Sequence, residues 1–177
     1  MHLMFVNYEF PPVGGGAAYA SLATAREFVS MGHRVDFLTT ATPGKTLAEV
    51  IDGVQVHRVR AYRRGVHEAS VLGALSFVAL AAGKLRSLAQ TNHYDAYHYY
   101  FGQPTGLLSL VPGMHQSRPY VVSLRGSDVP GYDPALAWLH KPMLPVTRRI
   151  WHGAYRVVAN SQALRALARI SAPRLPI

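Results

Sequence analysis

The feature that most constrains this chain is a repeated switch of hydrophobic period. Short apolar runs of strand length alternate with longer stretches in which apolar residues recur every three to four positions. "HLMFVN" opens the chain as a run suited to a strand buried on both faces. After it, Ala18, Leu22, Ala25 and Val29 follow helical spacing, and Gly32 stands where a helix C-cap belongs. "HRVDFLTT" and "GVQVHRV" read as the second and third strands. Ser70 is placed to cap a helix predicted from Val71 to about Ala89. "YDAYHYYF" is a further strand ending at Gly102, and Thr105 to Val111 reads as a short helix. "PYVVSL" is the next strand. Pro134 to Trp151 then carry a helical pattern that Pro142 and Pro145 are expected to kink or divide. "YRVVAN" is a strand, Ser161 caps a last helix with Leu164, Leu167 and Ala168 facing inward, and "RLPI" reads as the start of another strand. This β-α-β alternation predicts an α/β fold: a doubly wound parallel β-sheet with helices on both faces, Rossmann-like. In such sheets ligands bind beyond the carboxyl ends of the strands.

The 177 residues suffice for one domain with a sizeable core, and 49% hydrophobic against 15% charged residues excludes a disordered chain. Cysteine is absent, which excludes disulfides and thiolate metal sites and fits a reducing, cytoplasmic location. The formal net charge is +9, and fifteen of the eighteen cations are arginine. Arginine favours forked contacts to phosphate or carboxylate, so the expected partner is anionic: nucleotide phosphate, an anionic membrane surface or nucleic acid. "MHLMFVNYEF" lacks the pattern of a signal peptide. The most apolar segment, Val71 to Gly83, falls short of the roughly 20 residues that cross a bilayer and reads as a buried or interfacial helix.

Four segments fall at predicted strand ends: the glycine loop, "YYFGQPTG", "RGSD" and "NS". In "NYEFPPVGGGAAYA" the glycines let backbone approach a ligand, and the helix behind them presents free N–H groups suited to phosphate or hydroxyl. Gly14 and Gly16 match the first two glycines of a dinucleotide fingerprint, but Tyr19 occupies the third, and no G-K-[ST] follows. Arg125 and Asp128 flank a Gly-Ser turn, where Arg125 suits an anion and Asp128 suits sugar hydroxyls or a nucleophile. An Arg–Asp pair holding its own loop is the structural alternative. His98 shares a strand face with Ala96 and Tyr100, either as a core histidine or reaching the cleft. For Ser161, helix capping alone is a full explanation. No histidine spacing points to a metal site.

The stretch from Asn7 to Thr40 resembles the opening of the family-4 glycosyltransferases, with its "PP..GG" loop and "GH.V...T" second strand. "YDAYHYYFGQPTG", "PYVVSLRGSD" and "YRVVANSQALR" recur in the family's order and spacing, so the resemblance spans essentially the whole chain. It implies one half of a GT-B architecture, in which two Rossmann-like domains face each other across a cleft. It further implies retaining, metal-independent transfer of a sugar from a nucleotide-sugar donor (UDP- or GDP-sugar), with no cofactor, to a glycan or lipid-linked acceptor. The family's C-terminal domain holds most of the donor and carries an E-x(7)-E motif, which this chain lacks. Residues 1–177 are therefore expected to be a single acceptor-binding N-terminal domain, inactive without its donor-binding partner domain. By motif match, Gly15 and Gly16 approach the donor phosphate and the acceptor. Glu9, Gly14, Ala17, His98 and Ser161 complete the expected substrate contacts, and Arg125 and Asp128 the expected catalytic pair. Where many members have a histidine beside the transferred sugar, this chain has Arg125. Relatives with lipid acceptors dock on membranes. Arg63, Arg64, Arg148 and Arg149, with the Val71 helix, would make such a contact at the inner face of the membrane. Two alternatives remain: an NAD(P)-binding domain, disfavoured by Thr39 and Thr40 closing the second strand, and a basic module for membrane or nucleic acid.

Overall fold

The structure is a computed structural model and describes residues 1–62, 70–115, 118–175 and 177. In chain order the elements are β1 (His2–Val6), α1 (Gly16–Ser30), β2 (Arg34–Thr40), β3 (Ala48–Ile51), β4 (Val54–Val59), α2 (Val71–Thr91) and β5 (Ala96–Tyr100). A 3-10 segment (Thr105–Leu110), β6 (Tyr120–Leu124), α3 (Ala137–Gly153), β7 (Arg156–Ala159) and α4 (Gln162–Ser171) follow. The strands form one sheet in the order β3-β4-β2-β1-β5-β6-β7. Every pairing is parallel except β3 with β4. The chain leaves β1 toward β2 and later returns to add β5 on its other side, so the topological switch lies between β1 and β5.

Strand alternation divides the apolar residues between two faces. Met4, Val6, Leu38, Tyr97, Tyr99, Val122 and Leu124 face one side, covered by α2 through Phe77, Ala81 and Leu85, by α3 through Ile150 and Trp151, and by α4 through Leu164 and Ala168. Leu3, Phe5, Val35, Phe37, Val54 and Val56 face the other, covered by α1 through Leu22, Ala25, Phe28 and Val29. The doubly wound, Rossmann-like sheet read from the sequence is present.

Four local points differ from the sequence reading. The strand β3 was not anticipated. It is the edge of an antiparallel hairpin whose turn residues, Asp52 and Gly53, both have positive φ, 50° and 81°. That is the backbone an Asp-Gly hairpin turn requires. The proline-bearing segment is one helix after a short 3-10 turn, Pro134–Leu136, and neither Pro142 nor Pro145 divides it. Both prolines are exposed, as are Trp138 and Lys141 four residues before them, so the carbonyls left without an N–H partner lie on the solvent side. Finally, α2 runs 21 residues and is long and apolar enough, by length and composition, to cross a membrane. Its Phe77, Ala81, Leu85 and Leu88 are buried on the sheet, whereas Val71, Leu72, Leu75 and Leu80 are exposed, so one face of the helix packs on this domain and the other is open. The closing "RLPI" forms no strand among the described residues, and Arg63 and Arg64 lie outside them.

At the amino ends of the strands, Asp36 is buried among His2, His57 and Tyr94. Its carboxylate lies 3.2 Å from His2 Nε2, 3.4 Å from His57 Nε2 and 2.5 Å from the Tyr94 hydroxyl, which donates to it. This cluster lies at the end of the sheet opposite the switch-point crevice.

Candidate functional site

The carboxyl ends of β1, β5, β6 and β7 bring four loops together. The loop after β1 delivers the glycines. Gly14 has φ +94°, and a Cβ there would meet Glu9 Oε2 at 2.5 Å, so both backbone and neighbour demand glycine. Gly15 and Gly16 are exposed, with open space where a Cβ would point. α1 begins there without a side-chain cap: Gly15 supplies none, and its carbonyl accepts from Ala18 N–H at 3.0 Å. The first turn thus offers backbone N–H groups to whatever lies above it. Asn7, fully buried, organises the loop from below, its side chain donating to Ser21 Oγ at 3.0 Å and accepting from Glu9 N–H at 3.1 Å.

The loops after β5 and β6 are tied by one carboxylate. Asp128 accepts from Gly102 N–H at 2.6 Å through Oδ2, and from Arg125 N–H at 2.9 Å and Gly126 N–H at 3.0 Å through Oδ1. Burial pushes its carboxyl up, and the three backbone donors oppose that. The alternative of an Arg–Asp pair takes a different form: Asp128 binds the backbone of Arg125, not its guanidinium. Gly102 is required by close packing, since a Cβ there would lie 2.7 Å from Trp151 Nε1.

The guanidinium of Arg125 instead lies over the Tyr100 ring, 4.8 Å from its centroid, and has no ion-pair partner among the described residues. His98 stacks on the same ring at 4.4 Å, and its Nε2 lies 2.7 Å from Ser123 Oγ. Burial, and then the charge of Arg125, push the His98 imidazole down to about 3, so it is neutral at ordinary pH. It is a packed, hydrogen-bonded histidine supporting Tyr100 and Arg125 from below. Arg125 lines a hollow of about 300 Å³ with Tyr132, Asn160 and Ser161. Ser161 caps α4, accepting from Leu164 N–H at 3.1 Å. Asp128 lines a second cavity of about 230 Å³ with Tyr8, Gln103 and His140.

The structure therefore sets Arg125 and His98 on the Tyr100 ring and brings Arg125 and Ser161 together at one hollow. Asp128 ties together the loops after β5 and β6, and the exposed Gly15 and Gly16 stand at the end of β1's loop. Tyr100 and Gln103 belong to "YYFGQPTG", already placed at a strand end, whereas the sequence did not single out Tyr132 or His140. Tyr100 lay inside the strand already recognised, whereas His140 sits in an ordinary helical pattern with no local signal. Among the described residues no group of three or more His, Asp or Glu side chains is arranged to hold a metal ion.

A parallel sheet with its switch point at β1 and β5, and loops converging there, defines a Rossmann-like α/β domain whose candidate site lies at the carboxyl ends of the strands. The family model of the glycosyl transferase 4-like domain matches residues 14–175, and the chain belongs to that family. Solved structures agree on the fold. Sucrose-phosphate synthase from Thermosynechococcus elongatus superposes with a TM-score of 0.76 at 16% identity, covering 96% of this chain and 45% of that one. The α,α-trehalose 6-phosphate synthase from Burkholderia multivorans gives 0.56 at 12% identity, over 98% and 42% of the two chains. The "Trehalose-6-phosphate" protein from E. coli, bound with UDP-2-fluoro glucose, gives 0.55 at 12% identity over 95% and 42%. The chain thus spans less than half the length of each of these three. No curated protein sequence matches it.

Proposed function

We propose that this domain is the acceptor-side half of a retaining hexosyltransferase that moves a sugar from a UDP- or GDP-sugar to a glycan or lipid-linked acceptor without a metal ion. The observation that carries the reading is the uncapped start of α1: exposed Gly15 and Gly16 stand at the end of β1 beside the topological switch. Backbone N–H groups there suit the departing nucleotide diphosphate, and a metal-free site must stabilise that charge with such groups and with basic side chains. Arg125, with no carboxylate partner among the described residues and 4.8 Å from the Tyr100 ring centroid, is the basic side chain in position. The carboxylate of Asp128 is engaged by three backbone N–H groups, so we assign it to shaping the site.

The crevice has one wall in this chain. A second Rossmann-like domain supplies the other, and the chain alone does not turn over, because proximity of donor and acceptor carries much of the rate. The test is an NMR titration of the chain with UDP, GDP and NADH, paired with a transfer assay of the protein extended by its second domain in the presence of EDTA. Shifts at Gly14 to Ala17 with a nucleoside diphosphate, and EDTA-resistant transfer with retained anomeric configuration, are the expected results. Tight NADH binding without transfer would overturn the reading.

We further propose that the domain rests on the anionic inner face of a membrane. Trp138, Lys141, Arg148 and Arg149 are exposed on α3, and Leu72 and Leu75 are exposed on α2. An aromatic and apolar rim beside basic residues suits a peripheral contact.

A further inference from the structure

A further cavity lies at the end of the sheet opposite the crevice. It holds about 890 Å³ at the amino ends of β6 and β7, against about 300 Å³ for the hollow beside Arg125. That is near the top of the range for small-molecule sites, with room for more than a bare ion. Its floor is closed and well braced. Met114 and Tyr120, which line it, are 2% and 7% exposed. The Tyr120 hydroxyl donates to the Ile150 carbonyl at 2.7 Å, and a Cβ on Gly153 would lie 2.5 Å from that hydroxyl oxygen, so glycine there leaves it room. His115 stacks on the Tyr120 ring at 4.8 Å, and its Nε2 lies 2.7 Å from the Tyr99 hydroxyl. Burial pushes the His115 imidazole down to about 4, so it adds no charge at neutral pH.

The charge of this cavity is one-sided. Arg118 and Arg149 both line it, and none of its described lining residues is Asp or Glu. Neither arginine has an ion-pair partner among the described residues. Arg118 spends part of its donor set on the His93 ring, and its charge helps, after the His2 N–H, to hold the Asp95 carboxyl low, but neither His93 nor Asp95 lines the cavity. Tyr155, also in the wall, is exposed and has the Arg156 guanidinium 4.9 Å from its ring centroid. The carboxyl end of α3 accounts for one cation, at Arg149. It does not account for Arg118, which comes from a different segment at the start of β6.

We infer that this cavity is a second binding site, separate from the crevice, for a soluble organic phosphate: its phosphate is matched by Arg118 and Arg149, and its apolar or ring-shaped body lies against Leu110, Val111 and Tyr155. A phosphate monoester carries about two charges at neutral pH, so it balances both arginines, where a single carboxylate would leave one unmatched. Arginine forks suit its oxygens, and the braced floor spares the cost of ordering the site on binding. The site does not depend on the glycosyltransferase reading. The five residues of β6, roughly 16 Å of strand, separate it from the loops that carry Arg125 and Asp128.

The probes are 1-naphthyl phosphate, 1-naphthol and inorganic phosphate, titrated against the ¹⁵N-labelled 177-residue chain. Naphthyl phosphate is expected to bind saturably at one site, at least about tenfold tighter than either fragment, and to shift the amides of Gly113, Gly153 and Ala154. Saturating UDP is expected to leave that binding unchanged. Arg149→Gln, at an exposed position, is expected to weaken it about tenfold, the scale of one charge-assisted hydrogen bond. Lys141→Gln removes a charge from the same helix outside the cavity and is expected to change it by less than about twofold. Inorganic phosphate binding as tightly as naphthyl phosphate would mean a basic surface only. Naphthol binding as tightly would leave the arginines no role, equal loss in the two variants would mean diffuse charge, and displacement by UDP would place the ligand in the crevice. Vesicles containing phosphatidic acid separate a lipid headgroup from a soluble ligand: shifts of the three amides with vesicles and none with naphthyl phosphate would give the arginines to the membrane. Each of these results, or no saturable binding, would overturn the inference. None of them involves sugar transfer, so failure of the glycosyltransferase reading would leave this site standing, and the reverse.

Discussion

Gly14 and Gly15 are neighbours that meet different surroundings. Gly14→Ala forces a side chain into positive φ and against Glu9, and is expected to cost about 1–3 kcal/mol. Gly15→Ala has open space and is expected to stay within about 0.5 kcal/mol. Urea midpoints of the two variants test the pair. The Asp36 cluster gives a prediction with a sign. Burial alone would raise the Asp36 carboxyl, but contacts from His57, Tyr94 and His2 outweigh it and hold the group at about 2, below its ordinary 3.8. Its folded value is the lower one, so its contribution is complete above the ordinary value and disappears as pH falls toward about 2. The loss should be about 2 kcal/mol, and Asp36→Asn should flatten that limb of the stability–pH curve. The residues of the site were legible unevenly. The chemistry of Arg125 was visible in "RGSD", but its lack of a carboxylate partner was not. Asp128 turned its carboxylate toward backbone N–H groups of two loops, and one of those loops lies 26 positions away in sequence.

The elements obey local signals where those signals are strong. Ser70 and Ser161 both cap, accepting from Gly73 N–H and Leu164 N–H. Alanine at either is expected to lower stability by about 1 kcal/mol. For Ser161 this separates roles, because loss of stability with unchanged nucleotide shifts would show a cap and no more. The two prolines of α3 each remove a helix hydrogen bond on an exposed face. Pro145→Ala is therefore expected to raise the unfolding temperature, measured by circular dichroism, and to leave the fold unchanged. The β3 hairpin was missed although its signal is present: "VIDGVQV" carries the Asp-Gly turn between apolar residues, with Ile51 paired to Val54. α3 was harder to read because proline penalties act on hydrogen bonds, while burial of Ile150 and Trp151 holds the helix in place.

For the whole molecule, the charge of +9 makes a prediction about surfaces. Sedimentation with vesicles containing phosphatidylglycerol should show binding that weakens as salt rises, and Arg148→Glu with Arg149→Glu should reduce it several-fold. Salt-insensitive binding, or none at low salt, would remove the membrane contact while leaving the crevice chemistry untouched. The assembly of the crevice is itself a property at this scale. Tyr8, Gln103, Asp128 and His140 come from four separate segments and meet only because β5 returns to lie beside β1.

Hydrophobic period, turn residues and ordered motifs were enough to specify the alternating elements, the parallel sheet and the glycosyltransferase family, because those depend on short-range spacing along the chain. Tertiary structure alone decided which strand ends adjoin and which way Arg125 and Asp128 face. Those features depend on contacts between residues distant in sequence, and hydrogen-bond satisfaction is settled only when the burial of both partners is known.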